Sequence, residues 1–184
     1  MMPEPATRAV TGYSPFLTLA SMVCRAPGCR IFRNFFRIPE EGIEDVVSDG
    51  ELSCVYFASG LLTLCGLFEG VQLNIDYMVE ALQDSGWRKD LKFQHGRGEL
   101  GIAIWGTEPG KRHLGFVVGS LAVSTSSYVP HLCVVRHSLT MKDGRKINQI
   151  WTHPKLRGLL ENAIYQTLYL DLREGPRSWA DLEP

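Results

Sequence analysis

The sequence predicts an α+β domain, and three observations carry that prediction. Apolar spacing is helical between residues 49 and 84, alternates from Gly98 onward, and becomes helical again after residue 155. Length points to one domain, since 184 residues is close to a single unit of typical size. Composition points to a globular core, with 45% apolar and 21% charged residues and too little Gly and Pro for a disordered or collagen-like chain. The formal charge of −1 leaves no basic excess for coating nucleic acid or an anionic membrane, so neither is an expected partner. The expected organisation is a helical or irregular N-terminal layer over 1–48, a core over 49–155, and a C-terminal helix and tail over 156–184.

The N-terminal layer is punctuated by Pro3, Pro5, Pro15, Pro27 and Pro39. The apolar patch from Pro15 to Val23 is too weak for a signal peptide, so no clear targeting segment is read and the compartment stays open. Further on, Ile31, Phe32, Phe35 and Phe36 share one helical face while Arg30, Arg33 and Arg37 lie off it, which predicts an aromatic face docked on the core. Ser48-Asp49-Gly50-Glu51 offers helix-start chemistry, small polar caps followed by an acid. Phe57, Leu61, Leu64 and Phe68 then follow at helical spacing, with Gly70 as the stop. The stretch from Leu52 to Phe68 carries no charge, but Ser53, Ser59, Gly60, Thr63 and Gly66 dilute it. A buried central helix is therefore expected rather than a membrane span. A second helix fits residues 74–84, with Ile75, Met78, Val79 and Leu82 facing inward and Ser85-Gly86 ending it.

Strands are expected over 100–105, 113–118, 121–126, 131–135 and 147–151. Gly119-Ser120 joins the second and third in a tight hairpin, and Asp143-Gly144 marks another turn. Pro154 opens the last helix, whose stripe is Leu156, Leu159, Leu160, Ala163, Ile164, Thr167 and Leu168. Helices, a consecutive antiparallel sheet and a closing helix define the α+β order.

Two residues carry the chemistry. Cys54 falls at the start of the central helix, where unpaired N–H groups and the positive dipole end favour a thiolate and can also hold a forming oxyanion. The other cysteines, Cys24, Cys29, Cys65 and Cys133, make an odd total with no CxxC pair, unlike a secreted disulfide framework, and read as small buried hydrophobes. His113 opens a strand 59 residues after Cys54, and Gly115 on the same face is expected to leave open space beside the imidazole.

Ser53-Cys54-Val55-Tyr56-Phe57-Ala58, Gly101-Ile102-Ala103-Ile104-Trp105 and His113-Leu114-Gly115-Phe116-Val117 together resemble the NlpC-type and CHAP-type papain-like cysteine hydrolases over about residues 49–127. The resemblance implies a papain-like core in which a helix-start cysteine is activated by a strand-start histidine, itself oriented by a polar residue on the next strand. It implies amide cleavage by a cysteine peptidase or amidase without a cofactor or metal, with bacterial cell-wall peptide as the substrate class. The chain departs from the pattern at Ile102, where family members often carry Asp. It also offers only Ser124, Thr125 and Ser126 as orienting residues. Register selects among them: a two-residue loop puts Ser124 and Ser126 on the His113 face, and a three-residue loop puts Thr125 there. The family spacing favours Thr125, so the implied catalytic set is Cys54, His113 and Thr125.

Zinc is a competing use of side chains, since His131, Cys133 and His137 stand as H-x-C-x3-H with His153 or His95 as a fourth ligand; the spacing matches no standard motif. Two further alternatives keep the fold and change the function: a catalytically silent binding module, and a thiol acyltransferase or deamidase. No P-loop, GxGxxG, HExxH or paired-carboxylate signature is present.

Overall fold

Alternating apolar side chains build a six-stranded sheet at the centre of the molecule. The computed structural model describes residues 12–40, 42–93, 99–126 and 133–174. The strands are β3 (Arg88–Lys89), β4 (Leu100–Trp105), β5 (His113–Val118), β6 (Leu121–Thr125), β7 (Val134–Ser138) and β8 (Ile147–Thr152). They lie in the spatial order β3-β8-β4-β5-β6-β7 with every neighbouring pair antiparallel. A separate ribbon pairs β1 (Phe36–Arg37) with β2 (Glu44–Asp45). The chain is therefore mixed α+β.

Both faces of the sheet are covered, which is why β4 and β5 read as nearly continuous apolar runs. One face sends Ile102, Ile104, Leu114, Phe116, Val118 and Val123 into the main core with the helices. The other sends Ala103, Trp105, Val117, Ala122 and Ile150 into a smaller cluster, closed by Phe93, Leu139, Met141 and Ile147.

Five helices complete the fold: α1 (Pro15–Arg25), α2 (Ser53–Leu64), α3 (Ile75–Asp84), α4 (Pro154–Arg157) and α5 (Ala163–Glu174). Helix α2 lies against β5 and β6. It buries Val55, Phe57, Ala58, Ser59, Gly60, Leu61 and Leu62, leaving no polar face. Phe57 meets Phe116 edge to face at 5.6 Å, and burying such a ring contributes roughly 1.5–3 kcal/mol. Helix α1 packs on α5, with Leu19, Ala20, Val23 and Cys24 buried on one and Tyr165, Leu168 and Leu172 on the other. Burial pushes the Cys24 thiol up to about 12, so that cysteine is an inert core residue. Among the described residues no helix is long and apolar enough to cross a membrane.

Several local features sharpen or correct the sequence expectations. The patch from Pro15 to Val23 is helix α1, started by Ser14, whose hydroxyl accepts from the Leu17 N–H, and by Pro15 in its first turn. No helix forms around Phe32. The Asp45 carboxylate accepts the N–H groups of Phe35, Val47 and Asp49, which pulls that backbone into turns and the β1–β2 ribbon. Ser48-Asp49-Gly50 makes a short 3₁₀ turn and does not cap α2, which ends at Leu64 rather than at Gly70. The closing helical stripe breaks after Arg157, and α5 restarts where the Asn162 side chain accepts from the Ile164 N–H at 3.0 Å. The strand expected over 131–135 is β7 from Val134; His131 lies outside the described residues.

Candidate active site

Cys54 is the second residue of α2, and its neighbours explain how its sulfur is held. Leu52 precedes the helix without a side-chain cap, so the first-turn N–H groups are left to other partners. Ser53 is spent on structure, its hydroxyl donating to the Gly50 carbonyl at 2.7 Å. Burial pushes the Cys54 thiol above its ordinary value, while the N–H groups of Leu114, Val55 and Cys54 itself and the Arg145 guanidinium pull the other way. Burial is the larger effect, so the resting group is a thiol surrounded by donors suited to an anion.

Helix α2 packs on β5, with the Leu114 N–H near this sulfur and one residue from His113. Folding thus brings Cys54 to the strand start of His113 across 59 residues of chain. Their side chains are not hydrogen-bonded to each other. Leu114 points into the α2 core, and strand alternation turns His113 to the other face, where its ring lies 6.0 Å from that of Trp105. The His113 Nε2 is buried and has no hydrogen-bond partner. Burial, with the nearby His137 and Arg145 adding to it and Asp143 opposing, pushes the imidazole down to about 3. At neutral pH the pair is therefore a neutral thiol and a neutral imidazole.

Thr125 is not on the His113 face. Val118 pairs with Leu121, so Gly119-Ser120 is a two-residue turn and Phe116 stands opposite Val123. That register puts Ser124 on the His113 side and Thr125 on the α2 side, where it lines a small cleft with Ser53, Cys29 and Cys133. Ser124 is engaged elsewhere. Its hydroxyl lies 2.8 Å from Nε2 of His137, whose Nδ1 lies 2.7 Å from the Ser138 carbonyl. A carbonyl only accepts, so Nδ1 carries the proton and the Ser124 hydroxyl donates to Nε2. The space above Gly115 is also taken. A Cβ there would stand 2.5 Å from Cβ of Ser124 and 2.8 Å from the Val123 carbonyl, so this glycine permits close strand approach and opens no substrate space.

Three residues that the sequence reading passed over frame the site: Trp105, His137 and Arg145. Trp105 was legible, since the antiparallel register sets it opposite His113; its indole N–H donates to the Leu139 carbonyl at 2.7 Å, and its other flank faces the His137 ring at 5.6 Å. His137 was weighed only as a zinc ligand. Arg145 sits beyond the Asp143-Gly144 turn with no motif around it. Of the zinc candidates, His153 caps α4 by accepting the Lys155 N–H and stacks on Phe16 at 4.5 Å, and Cys133 is buried with its thiol pushed up by desolvation. His95 and His131 lie outside the described residues, among which no group of three or more His, Cys, Asp or Glu side chains is arranged to hold a metal. No protein-family model, curated protein or solved structure matches the chain, so its functional reading rests on the Cys54–His113 geometry.

Proposed function

We propose that the protein is a cysteine-dependent hydrolase of amide bonds with a papain-like core, working through a Cys54–His113 dyad. The observation that carries this reading is the packing of α2 on β5, which sets Cys54 near Leu114, next to the strand start that bears the imidazole. In the resting chain the imidazole lies on the face of β5 away from α2, so the dyad requires the strand start at His113 to reorient when substrate binds.

In the reaction His113 takes the Cys54 proton, and the sulfur attacks the amide carbonyl carbon. The N–H groups around the sulfur then face the developing oxyanion. Collapse breaks the C–N bond, the amine leaves with the proton from His113, and a thioester remains. His113 next deprotonates water, which attacks the thioester and releases the acid and the Cys54 thiol. Packing against Trp105 orients the ring in place of a third hydrogen-bonded side chain. Cell-wall peptide as the substrate class comes from the family resemblance alone.

The test compares wild type with Cys54→Ala on purified peptidoglycan and on generic peptides. Loss of turnover in the variant is expected; equal, nonzero turnover by both removes Cys54 as nucleophile. A specific observation favours a second reading, a catalytically silent module: the imidazole is held down to about 3 and its Nε2 lacks an orienting partner. A thiol-reactive probe separates the two, because substrate-free Cys54 in a silent site labels no faster at neutral pH than the buried Cys24.

A further inference from the structure

The two residues before His113 are tethered to different parts of the molecule. Arg112 forms a two-pronged ion pair with Asp76 in the first turn of α3, both contacts at 2.8 Å. Lys111 is held from the other side, its carbonyl accepting from Nη1 of Arg145 at 2.6 Å. Arg145 is itself fixed on the hairpin between β7 and β8, where Nε and Nη2 both reach the Asp143 carboxylate at 2.7 Å. Its carbonyl accepts the Met141 N–H, and its Cδ lies 3.4 Å from where a Cβ on Gly106 would stand. Such a guanidinium is preorganised, because its fork is filled on three sides by fixed partners.

We propose that Arg145 is the positioning residue of this site: its guanidinium holds the strand start that carries His113 and fixes a positive charge beside it. The proposal rests on reading Cys54 and His113 as a reacting pair. The charged and titratable groups facing that pair are His137 from β7, and Asp143 and Arg145 from the following hairpin. Arg145 acts on both members in the useful sense, favouring the anionic sulfur and the neutral imidazole. It thereby offsets part of the burial that disfavours the thiolate, which a dyad without an acidic third member needs.

The test reads Cys54 itself and needs no substrate. Iodoacetamide alkylation of the full chain is followed against pH, with the Cys54 peptide quantified by mass spectrometry. Arg145→Gln is expected to slow Cys54 alkylation at pH 7.5 by about 3–10-fold and to move the profile to higher pH, the size expected for losing one partly screened unit charge. Arg145→Lys keeps the charge but loses the fork, and is expected to recover only part of the rate. Asp143→Asn removes the counter-charge and is expected to speed alkylation, which supplies a variant of opposite sign should Arg145→Gln fold poorly. An unchanged profile in Arg145→Gln, equal slowing in the Gln and Lys variants, or no acceleration in Asp143→Asn overturns the proposal. Retained turnover by Cys54→Ala would instead overturn the hydrolase reading and leave these alkylation profiles interpretable.

Discussion

Replacing Gly115 with alanine tests the close approach of β5 and β6. The added Cβ would stand 2.5 Å from Cβ of Ser124, 2.8 Å from the Val123 carbonyl oxygen and 3.2 Å from Cα of Ser124. Ordinary carbon–carbon contact is about 3.5–4.0 Å, so β5 and β6 must separate by roughly 1 Å at this point. None of the three atoms is the free end of a flexible side chain, so the backbone itself has to give. Overpacking of this kind costs about 1–3 kcal/mol. For a chain of this size each kcal/mol moves the melting temperature by about 2–4 °C, which gives an expected fall of roughly 2–12 °C. Gly158→Ala is the matched control: φ is −66°, and the nearest atom to the new Cβ is the Lys155 carbonyl at 3.8 Å. There the smaller unfolded-state entropy dominates, and about 0.4–1 kcal/mol of stabilisation is expected. Thermal and urea unfolding of the two variants beside the parent decides the matter. A Gly115→Ala protein that melts with the parent would refute the two-residue turn and the register built on it.

The remaining predictions concern the polar groups. Ser124→Ala leaves Nε2 of the half-buried His137 without its donor and is expected to cost about 1–3 kcal/mol in urea unfolding; an unchanged midpoint would contradict the Ser124–His137 bond. His113 is held down to about 3 in the folded chain against an ordinary 6.5, so the unfolded chain binds the proton more readily between those values. Stability is then fully present above about pH 6.5 and declines as pH falls toward 3. His113→Gln is expected to flatten that limb of a pH–stability curve. The Asp45 carboxyl is held at about 2, first by the Phe35 N–H and then by those of Asp49 and Val47 and by Asn34, against an ordinary 3.8. Its contribution is present above the ordinary value and lost as pH falls through about 2, so Asp45→Ala is expected to lower stability at neutral pH and to remove this acid limb.

Regular elements were legible in the sequence where one physical signal dominated. Alternation located β4 and β5 to the residue, and helical spacing located α3 to within one residue of its start. The α+β order followed from the change of period. Legibility failed where a distant group decides local structure. Nothing near Phe35 announces that the Asp45 carboxylate takes its N–H, and nothing near Pro15 announces that α5 covers α1. In the site, Cys54 and His113 were found because each sits at the start of an element. The role of Thr125 followed from the family spacing, which fits a three-residue loop, and the two-residue turn puts it on the other face. Arg145 reaches the site through a loop carbonyl, a partner that side-chain motifs do not encode.

The α1–α5 contact has a consequence for synthesis. The apolar side of α1, with Leu19 and Val23 fully covered in the mature molecule, has its cover in Tyr165, Leu168 and Leu172, made some 140 residues later. On the ribosome that early surface stays open until the late helix clears the exit tunnel, so co-translational chaperones have a long window in which to bind it. Slowing elongation between the two helices would lengthen that exposure and lower the yield of native protein.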